Sequence, residues 1–156
     1  MKDTVVFQTP LGQVSISEQE GAIAELFFAK DAPESVGGQA TPLLKEAEKQ
    51  LLGYLEGTRK TFDLPLAAEG TEFQKTVWEA LCSIPYGETR SYKQVAEMIG
   101  QPNASRAVGK ANNKNPILIL TPCHRVLGSD GKLVGYAAGL DIKKKLLELE
   151  KSHVGR

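Results

Sequence analysis

The spacing of hydrophobic and polar positions changes character near residue 40 and again near residue 70. Thr4–Thr9 and Gln13–Ser17 read as two strands, with Pro10-Leu11-Gly12 as the turn between them. Gly21 opens a third apolar run, Ala22–Phe28, so short turns join three strands into an antiparallel meander. Asp31–Gly38, polar with Pro and paired Gly, reads as a loop. The period then becomes helical. Thr41 is the expected cap and Pro42 the first helical residue, where a missing N–H costs nothing. Leu44, Ala47, Leu51 and Leu55 follow on one face, and Gly57 is the expected stop. Phe62–Leu66 reads as one more short strand and Ala67–Gly70 as a linker.

Beyond residue 70 the chain reads as short helices. Thr71-Glu72-Phe73-Gln74 and Ser91-Tyr92-Lys93-Gln94 are capping boxes, in which the two side chains each satisfy a free backbone donor. Phe73, Val77 and Leu81 line the first helix, with Trp78 expected in the core and Cys82 as a structural thiol on the Trp78 side. Val95 and Ile99 belong to the second helix, Gly100 ends it, and Asn103 is the expected cap of a third through about Asn113. Two short helices joined by a tight turn fit a helix-turn-helix. The second of the pair is mostly small residues, with Arg106, Lys110 and Lys114 at four-residue spacing. Small residues permit close approach to a surface and the cations suit phosphates. The competing reading is an ordinary helical hairpin with a solvated basic face. Gly128–Gly131 reads as a turn, Asp141 as the cap of a last helix, and Lys151–Arg156 as a frayed tail.

Charge sharpens the division at residue 70. Residues 1–70 carry six Lys and Arg against eleven Asp and Glu, and residues 71–156 carry thirteen against eight. From Gln101 to Ser129 there are four cations and no acid. A segregated basic half points to a polyanionic partner, with chance fluctuation as the alternative. The expected domains are therefore 1–70 and 71–156. Two cysteines and two histidines at unrelated spacings give neither a disulfide framework nor a zinc site, so no metal or cofactor is expected, and a reducing cytoplasm is. No stretch is long and apolar enough to span a bilayer, and the N-terminus shows no apolar signal region.

The candidate chemistry lies in Thr121-Pro122-Cys123-His124-Arg125-Val126. The preceding run Ile117–Leu120 should be buried, and Pro122 fixes the chain as it leaves that run. Cys123 is either a small buried hydrophobe or an activated nucleophile.

Pro122–Val126, preceded by Asn115-Pro116, Ser105–Gly109 and Ser91-Tyr92 and followed by Gly135-Tyr136 and a final helix with Glu150, closely resembles the O6-alkylguanine-DNA alkyltransferases. The resemblance spans roughly residues 72–150, and the first 70 residues match in general layout. It implies an α+β two-domain chain: an N-terminal RNase H-like α/β domain with an antiparallel sheet, and a C-terminal helical domain with a winged-helix-like helix-turn-helix. It also implies irreversible, single-turnover transfer of an alkyl group from O6 of guanine, and possible action on O4-alkylthymine, in double-stranded DNA. The protein would act as a monomer and without a membrane.

By the same resemblance Cys123 is the acceptor, in a Glu150–His124–water–Cys123 relay braced by Asn115. Side chains adjacent in an extended segment point apart, so direct Cys123–His124 contact is not expected, and the water between them is what the resemblance implies. Tyr92 aids flipping and protonates the departing guanine, and Arg106 fills the gap the flipped base leaves. The expected DNA-binding set is Arg106, Ser91, Ala104, Lys110, Lys114 and Arg125, entering the minor groove. Val126, Tyr136, Ala137 and Ala138 would line the guanine pocket. Ala137 stands where some members carry Ser, and Ala138 at a variable pocket wall. The zinc ligands and the N-terminal regulatory module of some members have no counterpart. Two other classes fit less well. Alkyltransferase-like lesion sensors replace the cysteine, and a cysteine hydrolase would leave the basic helix unused and lacks a marked oxyanion hole.

Overall fold

The computed structural model describes residues 2–29, 40–128, 130–133, 136 and 138–154. Two compact units make up the chain: Met1–Glu69 with Pro116–Leu118, and Gly70–Asn115 with Ile119–Arg156.

In the first unit, β1 (Asp3–Thr9), β2 (Gly12–Gln19) and β3 (Ala22–Phe28) form an antiparallel sheet in that order, with Val5 opposite Ile16 and Val14 opposite Phe28. The central strand buries Val14, Ser15, Ile16 and Ser17 in succession, and Ser17 meets the Thr4 hydroxyl at 2.9 Å. Helix α1 (Pro42–Glu56) packs on the sheet. Thr41 caps it by accepting the Leu44 N–H and donates its hydroxyl to Glu18. Gly57, at φ 84°, ends it in the left-handed conformation that glycine enters freely. The buried face is Leu44, Ala47, Leu51 and Tyr54, where Tyr54 takes the place expected of the half-buried Leu55.

The expected strand at Phe62–Leu66 is a correction. Only Leu66 pairs, as an isolated bridge to Ile23, with the Ile23 N–H on Pro65 and the Ala67 N–H on Ile23. Pro116–Leu118 does the same beside Leu26, so two short segments satisfy the outer edge of β3. Pro116–Leu118, placed past residue 70 by sequence, thus packs with the first unit. The loop read at Asp31–Gly38 lies outside the described residues.

The second unit holds α2 (Glu72–Cys82), α3 (Tyr92–Met98), α4 (Ser105–Asn113), α5 (Leu140–His153) and a two-residue parallel pair, β4 (Arg90–Ser91) with β5 (Val126–Leu127). Both capping boxes form as read. Trp78 is buried, and its indole N–H donates to the Ala111 carbonyl at 2.8 Å. Helices α3 and α4 join through Gly100 at φ 75° and bury Val95, Ala96, Val108 and Ala111, a helix-turn-helix. Three boundaries differ from the reading. Ala104 rather than Asn103 precedes α4, without a side-chain cap. Gly139 precedes α5, leaving Asp141 in its first turn, where a carboxylate suits the helix dipole. Helix α5 continues to His153, past the expected fraying point at Lys151.

Among the described residues no helix is long and apolar enough to cross a membrane, and no group of three or more His, Cys, Asp or Glu could hold a metal.

Candidate functional site

Cys123 sits at a tight reversal. Pro122 adopts φ −81° and ψ 63°, and the Cys123 N–H returns to the Thr121 carbonyl at 2.8 Å, an inverse γ-turn. Residues Cys123–Arg125 then form one 3₁₀ turn, closed by the Arg125 N–H on Pro122 and the Val126 N–H on Cys123. The expectation of an extended segment is therefore corrected. The turn spaces successive side chains about 120° apart and sends Cys123, His124 and Arg125 in three directions, all buried. Asn115, also buried, donates its side-chain amide to the Thr121 carbonyl at 2.8 Å.

His124 and Arg125 both point to Glu150, on the inner face of α5. His124 Nε2 lies 2.7 Å from Glu150 Oε2. Arg125 reaches the same carboxylate with two bonds, Nε to Oε1 at 2.9 Å and Nη2 to Oε2 at 3.0 Å, and donates Nη1 to the Ile84 carbonyl at 2.6 Å. The Gly87 N–H adds a bond to Oε1 at 3.1 Å. Gly87 has φ 82°, and a Cβ there would lie 2.7 Å from Val154 Cγ2, so glycine alone fits this approach. This overturns the expected DNA-binding role of Arg125. A guanidinium that is 7% exposed and forked onto a buried carboxylate is spent inside the protein.

Burial alone would push the Glu150 carboxyl up. Its hydrogen bonds and charge contacts with His124 and Arg125 outweigh that and hold it at about 2. Burial lowers His124 below its ordinary value, against the pull of Glu150, which favours the neutral, proton-accepting imidazole. Burial pushes the Cys123 thiol up to about 11, while Asn115 and then Lys143 draw it down. The resting group is a thiol, and its proton must leave as the sulfur reacts.

Lys143 was not legible as a site residue. Its side chain is fully buried, Nζ donates to the Val126 carbonyl at 2.6 Å, and burial lowers it to about 8, against the charge of Cys123. The signal was present: Lys143, Leu146 and Glu150 share one face of α5, an inward stripe with charge at both ends. Asn112 was also missed, although it belongs to the buried stripe Val108, Ala111, Asn112.

The remaining expected residues divide clearly. Arg106 and Lys110 are exposed on α4, and Lys114 is exposed just past its end. Ala104 is half-buried at the start of that helix. The Ser91 hydroxyl accepts the Gln94 N–H at 3.1 Å as the α3 cap. Tyr92 is half-buried; burial raises its phenol and the Cys123 charge adds to the rise. Tyr92, Lys93, Ser105, Arg106 and Gly109 line an open groove of about 470 Å³. Val126, Tyr136 and Ala138 are buried, and burial raises the Tyr136 phenol well up, with the Cys123 charge next in effect. Ala137 lies outside the described residues. Cys82 is exposed, its sulfur 3.9 Å from Thr121 Oγ1, rather than a structural core thiol.

A helix-turn-helix with a basic outer face, beside a buried thiol and a buried His–Glu pair, has the form of a nucleic-acid-binding protein. Comparison gives the family. Residues 4–68 match the 6-O-methylguanine DNA methyltransferase ribonuclease-like domain, and residues 72–152 match the DNA binding domain of the same family. The chain is 50% identical to the methylated-DNA–protein-cysteine methyltransferase of Methanosarcina barkeri over 96% of this chain and 97% of that protein. It is 46% identical to the constitutive enzyme of that name from Bacillus subtilis, over 92% of each. Among solved structures, Mycobacterium tuberculosis O6-methylguanine methyltransferase superposes with a TM-score of 0.90 at 41% identity, covering 99% of this chain and 95% of that one. The same organism's OGT in complex with DNA gives 0.88 at 42%, covering 97% and 93%. The chain belongs to the 6-O-methylguanine DNA methyltransferase family.

Proposed function

We propose that this protein repairs double-stranded DNA by moving the alkyl group of O6-alkylguanine onto Cys123, once per molecule. The observation that carries the reading is the buried Cys123 turn backed by the His124–Glu150 pair. The Cys123 sulfur forms a bond to the alkyl carbon as the carbon–O6 bond breaks. The thiol proton passes towards His124. Nε2 is committed to Glu150, so the path runs through Nδ1, and the carboxylate steadies the imidazolium that forms. The departing guanine takes a proton from Tyr92. The product is a thioether with no good leaving group, so the protein is spent. O4-alkylthymine is a second candidate substrate.

The lesion must leave the base stack to reach Cys123. Arg106 and the small residues of α4 suit a minor-groove approach, and Lys110 and Lys114 suit phosphates. Ser91 and Ala104, at the starts of α3 and α4, complete the proposed DNA-binding set. Val126, Tyr136 and Ala138 line the guanine pocket, and Asn115 braces the acceptor turn. In this reading residues 1–70 are the ribonuclease-like domain and 71–156 the DNA-binding and acceptor domain, acting as a monomer in a reducing cytoplasm. Incubating the Cys123→Ala variant with methylated duplex tests the assignment. Transfer should vanish while binding persists, and any transfer by the variant would remove Cys123 from its role.

A further inference from the structure

We propose that Asn112 is a positioning residue for the acceptor cysteine, holding the Cys123 carbonyl from the inner end of α4. The proposal rests on the alkyl-transfer reading above. Asn112 is 1% exposed, and its Nδ2 donates to the Cys123 carbonyl at 3.5 Å, a long bond. Its Oδ1 is buried and meets no hydrogen-bond partner among the described residues. An orphaned buried amide oxygen costs free energy, so a side chain of Leu or Met type would serve packing better. The asparagine is explained by what its amide holds.

The surroundings say what that is. Asn115, three residues on, donates to the Thr121 carbonyl, so the two asparagines grip the carbonyls on either side of Pro122. His124 and Arg125 tie the far side of the turn to Glu150, and the two asparagines hold the carbonyls on its near side, so that together they set the direction in which Cys123 projects its sulfur. The helix end that carries them is itself held, because the Trp78 indole N–H donates to the carbonyl of Ala111. A nucleophile in line with its carbon needs such fixing, since small misplacements are costly in rate.

The test is Asn112→Leu in the full chain, assayed by single-turnover methyl transfer from duplex and by reaction with free O6-benzylguanine. The melting temperature should hold or rise. The rate at saturating duplex should fall roughly tenfold or more, with the half-saturating DNA concentration unchanged, and the free base should lose the same factor. An unchanged saturating rate would overturn the proposal. So would a loss confined to half-saturation or to duplex, which would make Asn112 a docking element. If Leu is not accommodated, Asn112→Ala removes the same amide without added volume and is judged by the same criteria. Failure of the wild type to transfer would count against the functional reading itself, a result distinct from any behaviour of the variant.

Discussion

The outer face of α4 with the residue that follows it, and the buried surroundings of the acceptor turn, draw on the same long cationic side chains and put them to opposite uses. Arg106, Lys110 and Lys114 stand exposed, and among the described residues none of them makes an ion pair. Lys143 and Arg125 are buried, one on the Val126 carbonyl and the other forked onto Glu150. The first set remains available to an external polyanion. The second is consumed in fixing the groups around a thiol. A cation's role is therefore set by whether the fold supplies its counter-charge, and for Arg125 that partner lies 25 residues away.

Two arginine substitutions probe the contrast most strongly. Arg125→Met removes two of the hydrogen bonds that hold Glu150 and leaves a buried carboxylate undercompensated, so urea denaturation should show a loss of about 3–5 kcal/mol. Arg106→Met should change stability by less than about 0.5 kcal/mol yet slow repair of duplex more than reaction with free base. Equal stability losses would erase the distinction between the two sets.

Lys143 supplies the next effect. Its charge lowers the thiol of Cys123, so Lys143→Met should move the alkaline rise of the transfer rate to higher pH and cut the neutral rate by roughly tenfold, about one pKa unit. Superimposable pH profiles would mean that the amine serves only the Val126 carbonyl. Acid stability comes third. Glu150 and His124 both titrate below their ordinary values, so the unfolded chain binds more protons than the folded one as pH falls. Their contribution is complete above about pH 6.5, the ordinary histidine value. It is lost first through the histidine and then as pH drops from the usual carboxylate range towards 2. Thermal melts should fall along that path, and Glu150→Gln should flatten the lower part. The smallest effect belongs to single phosphate contacts. Lys110→Ala and Lys114→Ala should each reduce the slope of log affinity against log salt by about 1, and unchanged slopes would remove them from the DNA face.

The same division explains what the sequence made legible. Signals written in neighbouring residues read correctly: both capping boxes, the Gly57 stop, the helix-turn-helix and the burial of Ile117–Leu120. Signals that depend on distant partners did not. Phe62–Leu66 had the composition of a strand, but the edge it meets at β3 is shared with Pro116–Leu118, so only Leu66 pairs. Arg125 reads as one more cation in a basic stretch until α5 brings Glu150 to it. Lys143 was passed over because lysine is rarely buried, and the extended geometry assumed for Cys123-His124 gave way to the turn that Pro122 starts.

The most direct measurement is the intact mass of the protein after incubation with a duplex carrying one O6-methylguanine. The predicted result is one added methyl group per molecule, mapped to Cys123 and absent from Cys82, with no further gain on excess substrate. An unchanged mass with retained binding to the lesion would contradict the acceptor role and leave a sensor of damaged DNA in its place.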